Sequence, residues 1–302
     1  MRKYLVSVLA LFIAVASFSQ PVSELFKQAR EYYRDEEYDS ALFLYGKIYR
    51  QGKDGDPLLS KAYYNMADTY MQMEEYEKAK AIFEDILLGD FDEMEAGGRG
   101  EGIMAEPYAL YKNNSCKRLG EIALNQREYN AALRYTQRFD KEYPYQHFCG
   151  NEIMANAIYV AYSYGRCYEG LGKRQKAIDI ILPQAQYTGY SDNGYLVDFL
   201  TDSLIKKHYN PSQIRSELDN AVAAIASKTI KRWGRKYEYH YTRIFGMEIE
   251  LFAIAEDWQY NLEVFKLEGN EYYKYYFKKS RFYKNLDKIA ACGESTDAMV
   301  LH

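Results

Sequence analysis

Between Val22 and Arg50 the apolar residues fall three and four apart, with Ala29 and Tyr32 in one run and Ala41, Tyr45 and Ile48 in the next. That spacing places each set on one face of a helix. Asp35-Glu36-Glu37 separates the runs and predicts the turn between two helices, and the glycines and proline of Gln51 to Pro57 predict a loop after them. The layout returns from Ser60 to Leu87, with Tyr63, Met66-Ala67 and Tyr70 on a first helix and Ala79, Phe83 and Ile86 on a second. In four places a small residue of a first helix stands twelve before a small residue of a second: Ala29 and Ala41, Ala67 and Ala79, Gly120 and Ala132, Gly165 and Ala177. Tyr38, Tyr76 and Tyr129 stand three before the second small residue, where a ring can plug the turn; Arg174 holds that place in the fourth copy.

The third copy sets Leu119-Gly120 and Ala123 against Ala132, Tyr135 and Phe139, and Pro144 stops it. The fourth sets Ala161, Tyr164-Gly165 and Tyr168 against Ala177, Ile181 and Leu182, with Gly170 and Gly172 breaking the chain between helices and Pro183 shortening the last one. The longest insertion, Gly89 to Glu106, is acidic and then glycine-rich; it lacks the Gly-Lys-Ser/Thr of a nucleotide loop and the pattern of a calcium loop, so a flexible solvated loop is expected. Leu196, Phe199, Leu200 and Leu204 share one helical face, and after an Asn210-Pro211 start signal so do Ile214, Leu218, Ala221, Val222 and Ile225. This pair lacks the twelve-residue offset and reads as a cap on the stack.

From Tyr237 to Leu251 the period changes to two, a strand signal, and Gly246 marks a hairpin. Tyr260 to Leu267 and Glu271 to Phe277 suggest a second hairpin, although Tyr272 to Tyr283 also fits a helix; Phe282 to Ile289 predicts a closing helix.

Residues 60–87 fit the signature W-x2-L-G-x2-Y followed by A-x3-F in the size class of every position, and so resemble a tetratricopeptide repeat. The resemblance implies a mainly α chain, a tetratricopeptide-type α-α superhelix of about four repeats with capping helices; the change of period adds a small C-terminal antiparallel β-containing module, which resembles no recognised family. Together with the patterns at the two ends, the segments are 1–19 a signal peptide, 20–190 the solenoid, 191–228 the capping pair, and 229–302 an α+β module. Ala29 to Ala67, Ala67 to Gly120 and Gly120 to Gly165 span 38, 53 and 45 residues, all above the family's period of about 34, so each junction carries extra chain. In the family, the first helices line a concave groove. Carried onto this chain, that implies a groove of Phe26, Arg30 and Tyr33, then Tyr64, Asp68 and Met71, then Lys117, Glu121 and Leu124, then Tyr159, Tyr162, Arg166 and Glu169. The lysine, asparagine and arginine set with which one subgroup grips a terminal carboxylate is not matched.

Arg2 and Lys3, the apolar run Tyr4 to Ala16 and Ser17-Phe18-Ser19 read as a cleaved secretory signal, the run being shorter than the roughly 20 residues of a spanning helix. The expectation is an exported protein, periplasmic or secreted, with no transmembrane segment after cleavage. Losing Arg2 and Lys3 moves the net charge from −4 to −6, which argues against nucleic acid as a partner. Cys116, Cys149, Cys167 and Cys292 would meet an oxidising compartment, and either disulfides or buried free thiols fit their spacing. His147, His208, His240 and His302 are scattered, so no zinc site is implied, and no hydrolase motif occurs. Lys228, Lys231, Arg232, Arg235 and Lys236 around Trp233 read as a solvated linker, with contact to an anionic envelope component as the alternative, and the Asn113-Asn114-Ser115 acceptor pattern lies inside a helix.

Together these readings point to a non-enzymatic scaffold that binds a protein or peptide in the cell envelope, without cofactor or metal. A rival places glycan-binding or hydrolase activity in residues 229–302, on the ladder Tyr237, Tyr239 and Tyr241.

Overall fold

Each pair of small residues twelve apart becomes a helical hairpin in the computed structural model, which describes residues 20–52, 56–98, 105–186, 193–232, 234–255 and 270–299. The hairpins are α1 (Val22–Arg34) with α2 (Tyr38–Gln51), α3 (Pro57–Gln72) with α4 (Tyr76–Leu88), α5 (Tyr111–Asn125) with α6 (Tyr129–Gln137), and α7 (Gly150–Gly170) with α8 (Arg174–Ile181). Ala29, Ala41, Ala67, Ala79, Ala132 and Ala177 have no exposed surface, because the two helices of a hairpin cross closely where the side chains are small. The predicted signal at 1–19 lies outside the described residues, as do Gly100-Glu101-Gly102, Trp233, the strand expected at 260–267 and His302.

All four hairpins turn in the same way. Glu36, Glu74, Arg127 and Gly172 have φ of 62°, 59°, 60° and 70°, each five residues before the second small residue. The amide of the following residue returns to a carbonyl five back: Glu37 to Tyr32, Glu75 to Tyr70, Glu128 to Ala123 and Lys173 to Tyr168. This is the Schellman ending, which satisfies carbonyls that a helix C-terminus leaves open. The position favours glycine, yet only the fourth copy has one. Gly172→Ala is therefore expected to destabilise the chain by about 1 kcal/mol, measured by urea unfolding; no heavy atom lies within 4 Å of the added Cβ, so the cost is conformational.

Two compact units make up the chain, Met1–Arg99 with Ala109–Ser115 and Gly100–Tyr108 with Cys116–His302. In the first, Leu25, Ala29, Leu44, Tyr45, Ile48 and Ala62 form a core across α1, α2 and α3. The acidic insertion departs from the expected solvated loop. Glu93 accepts the amides of Lys112 and Asn113 at the start of α5, Glu95 accepts the Tyr111 hydroxyl at 3.0 Å, and Lys61 lies 3.6 Å from Glu95. A carboxylate at a helix N-terminus meets open amides and the positive end of the dipole. Burial lifts the Glu93 carboxyl above the usual carboxylate range, against the pull of those amides.

The second unit holds α5 from Cys116 onward, α6, the hairpin α7–α8 and the elements after them. The helix α6 continues as a π-helical stretch, Arg138–Glu142, before Pro144, and α8 gives way at Leu182–Gln184, where Pro183 intervenes. The expected capping pair forms: α9 (Gly194–Asp198) runs on through a π-helical Phe199–Ile205 to a last turn, Lys206–His208, and α10 (Pro211–Ala223) opens on a capping box of Asn210 and Gln213. Strands β1 (Ala226–Arg232), β2 (Arg235–Ile244) and β3 (Met247–Ala255) make an antiparallel sheet in that order, followed by α11 (Asn270–Lys279) and α12 (Arg281–Met299). Leu196, Leu200, Ile214, Leu218, Ile249, Leu251, Phe277 and Leu286 belong to one buried cluster, so the capping pair, sheet and last helices share a core. Glu217 ties α10 to the β2–β3 turn by accepting the Phe245 amide at 2.6 Å.

Two sequence readings of this region need correction. Residues 271–277, which fitted either the second strand of a hairpin or a helix, are the body of α11, because Tyr273 and Phe277 stand four apart and turn to the same packed side. Lys228, Lys231, Arg232, Arg235 and Lys236 are not a linker but the facing ends of β1 and β2, with Lys231 opposite Lys236 and Arg232 opposite Arg235. Lys228 pairs with Glu248 at 2.7 Å and Arg232 with Glu250 at 2.7 Å across the sheet. Lysines along an edge strand also discourage another chain from adding to it.

Cys116 and Cys167 are buried, Cys149 half-buried and Cys292 exposed, and no disulfide joins any two of them. Asn113, Asn114 and Ser115 are buried, as expected for a pattern inside a helix. Among the described residues no helix is long and apolar enough to cross a membrane.

His240 in β2 is 3% exposed, with its ring stacked 3.6 Å from that of Tyr273 in α11 and its Nε2 3.3 Å from Glu238. Burial holds its pKa below the ordinary 6.5, partly offset by Glu238. The unfolded chain then binds the proton more readily, so stability is fully present above about pH 6.5 and falls as the pH drops from there toward the folded value. The expected result is a fall in unfolding free energy between pH 7 and pH 5 that is shallower in His240→Phe.

Candidate functional site

The first helices carry the side chains that the resemblance assigns to a groove, and the two units hold them separately. In the first unit, Arg30 is exposed, while Phe26, Tyr33, Asp68 and Met71 are half-buried. The Tyr33 hydroxyl donates to Asp68 at 2.9 Å, joining α1 to α3, and the Phe26 ring packs edge-on to Tyr45 at 5.9 Å. Tyr64 is a core residue: it is 5% exposed and its ring lies 5.7 Å from Phe83 and 6.1 Å from Tyr111.

In the second unit the expected residues converge. Lys117, Glu121 and Leu124 on α5 and Tyr159, Tyr162 and Arg166 on α7 line one cavity of about 100 Å³. A neighbouring cavity of about 300 Å³ is lined by Leu124, Arg127, Arg166, Glu169 and Phe199, so Arg166 borders both. The Lys117 ammonium sits among three rings, 4.7 Å from Tyr145, 5.6 Å from Tyr159 and 6.0 Å from Phe139. The Arg166 guanidinium lies 5.7 Å from the Tyr162 ring, which is itself fixed edge-on by Tyr195 at 5.0 Å and Phe199 at 5.3 Å. Such cation–ring contacts hold long side chains in place at a surface.

The acids of this face are already engaged. Glu121 accepts the Tyr159 hydroxyl at 2.9 Å and Arg118 at 3.1 Å, and Glu169 lies 4.0 Å from Lys207. Burial, then the Glu121 charge, pushes the Tyr159 hydroxyl well above the ordinary tyrosine value, so it stays a donor at any ordinary pH. Phe139, Tyr145 and Arg127 were not among the expected groove residues. They lie on or after the second helix or in the turn, and a rule confined to first-helix positions passes over them.

All four hairpins share one turn geometry and bury small residues twelve apart. The family model described as Tetratricopeptide repeat matches residues 60–88, the hairpin α3–α4. The chain carries a tetratricopeptide repeat there. The other three hairpins share its offset and its turn, which makes the helical part a set of tetratricopeptide-type hairpins. Two crystal structures of nearly identical TPR-like repeats from a Podosopora anserina kinesin light chain, one of them a point variant, match at 14% identity and a TM-score of 0.38, covering 67% of this chain and 84% of each of those. No curated protein matches the chain.

Two tyrosines of the C-terminal ladder carry cations from β1 over their rings. Lys228 lies 4.4 Å from the Tyr241 ring and 5.2 Å from that of Tyr239, and Arg232 lies 5.4 Å from Tyr239. Tyr239 is 8% exposed, and burial with the nearby Glu250 and Glu248 pushes its hydroxyl up to about 12. The one histidine near a cysteine, His147, accepts the Cys149 backbone amide at Nδ1 (2.9 Å). Among the described residues no three metal-binding side chains come together.

Proposed function

We propose that this chain is a non-enzymatic scaffold that binds a polypeptide partner on the inner face of its tetratricopeptide hairpins. Tetratricopeptide repeats are stacked helical units whose curved surfaces serve binding. The observation that supports the reading most is the convergence of Lys117, Glu121, Leu124, Tyr159, Tyr162 and Arg166 on one cavity. Aromatic rings and arginine, held in place beforehand, lose little entropy when a partner docks. The signal-like pattern of residues 1–19 supports work in the cell envelope after export, in the periplasm or outside the cell.

Arg166 and Tyr162 are half-buried, so replacing them removes less packing than replacing the core residue Tyr64, and a circular-dichroism spectrum of the variant checks that the helices are retained. A Tyr162→Ala, Arg166→Glu variant is expected to recover at least tenfold less of a specific partner from envelope extract than the wild type. Recovery of the same partner in equal amount would contradict the reading. If the partner were soluble glycan instead, recovery would follow the C-terminal module and ignore both substitutions.

A further inference from the structure

A second concave site lies away from the hairpins, between the capping segment after α9 and helix α12. It encloses about 590 Å³, within the range of about 300–1,000 Å³ usual for small-molecule sites. One wall is apolar and rigid: Tyr209 is stacked on Phe245 at 4.6 Å and its hydroxyl donates to Gln175 at 3.2 Å, and Pro211 and Ile289 extend the wall.

The charges around it do not cancel. Asp198 is neutralised by Arg281, whose Nε lies 2.9 Å from Oδ1 while its Nη2 meets Oδ2. Asn285 donates to the same carboxylate at 3.0 Å and to the Thr201 hydroxyl at 3.1 Å, which fixes the floor. That leaves Asp202 facing two ammonium groups, Lys206 and Lys288, both exposed and neither in an ion pair among the described residues. Among the described residues, Lys206, Lys288 and the bracing Arg281 therefore give one positive charge more than Asp198 and Asp202 balance, beside an apolar wall.

We propose that this cavity binds a small organic monoanion, its charged group held by Lys206 and Lys288 and its apolar body against Tyr209, Pro211 and Ile289. The charge attracts the anion, and burial of the body supplies the larger part of the affinity. A carboxylate and a sulfonate meet the same demand. Inorganic phosphate lacks the body.

The test is a fluorescence titration of the full chain with 8-anilinonaphthalene-1-sulfonate. The expected result is saturable binding at one site, displaced by benzoate or hexanoate but not by inorganic phosphate. Lys206→Ala with Lys288→Ala should weaken it at least tenfold, whereas Lys278→Ala with Lys279→Ala, an equal loss of exposed charge on α11, should leave it unchanged. Cys292 also lines the cavity, so in a Cys149→Ser background the bound probe should slow maleimide modification of Cys292 at least threefold. Equal weakening by both lysine pairs would mean general charge attraction and overturn the site. Displacement by phosphate as effective as by benzoate would overturn the organic ligand, and no saturable binding or no protection of Cys292 would overturn the proposal outright.

Discussion

Replacing Phe83 by alanine is expected to destabilise the first unit by about 3–5 kcal/mol, the largest effect of any single truncation considered for it. Phe83 lies at the fourth place after Ala79 on α4, has no exposed surface and packs 5.7 Å from the Tyr64 ring. Truncation removes buried apolar area and leaves a cavity that two crossing helices cannot close by sliding, because Ala67 and Ala79 already bring them close. Phe43 supplies the control. It is on the corresponding second helix of the first hairpin but is 65% exposed, so Phe43→Ala should stay within about 0.5 kcal/mol of the wild type. Urea unfolding followed by circular dichroism separates the two. Equal effects would mean that α4 does not pack as described.

Gly170→Ala is expected to destabilise the second unit by about 1–3 kcal/mol, although alanine is the better helix former by about 1 kcal/mol. Gly170 closes α7, and a Cβ added there would lie 2.2 Å from Cε1, 2.3 Å from Cδ1 and 2.6 Å from Cγ of Tyr129. Tyr129 is the turn tyrosine of the third hairpin, so a ring at the turn of one hairpin needs a glycine on the first helix of the next. The ring is rigid across those three atoms and cannot bend its tip away. The double variant provides the check: with Tyr129→Ala in place, Gly170→Ala should be neutral or stabilising, since the obstructing ring is gone. An additive cycle would mean that the two residues do not meet.

Much of the helical architecture is legible in the sequence because small residues at a fixed offset can serve only a close crossing, and the alanines from Ala29 to Ala177 go where that offset sends them. The turns are less legible. Glu36, Glu74 and Arg127 take a left-handed conformation that their side chains do not advertise, and only Gly172 signals it. The sheet is legible as alternation but not as faces. Tyr239 and Tyr241 stack on one face of β2 beneath Lys228, while His240, Thr242 and Ile244 are buried on the other, so the even positions and not the tyrosines turn to α10 and α11. Strand β1 escaped notice because Lys228, Thr229, Lys231 and Arg232 look like a solvated linker; cross-strand partners, not hydrophobicity, make it a strand. Tyr64 shows the limit for the groove, since a tyrosine at an inner-face position is as readily packed under the next helix as offered to a partner.

The claim that the inner face of α5 and α7 receives a polypeptide is tested most directly by site-specific photo-crosslinking. A benzophenone amino acid would replace Arg166, beside both cavities, or Lys176, exposed on α8. The account predicts that irradiation in cells yields a discrete protein adduct from position 166 and none from position 176. Adducts to the same protein from 176 alone, or from both positions equally, would contradict it.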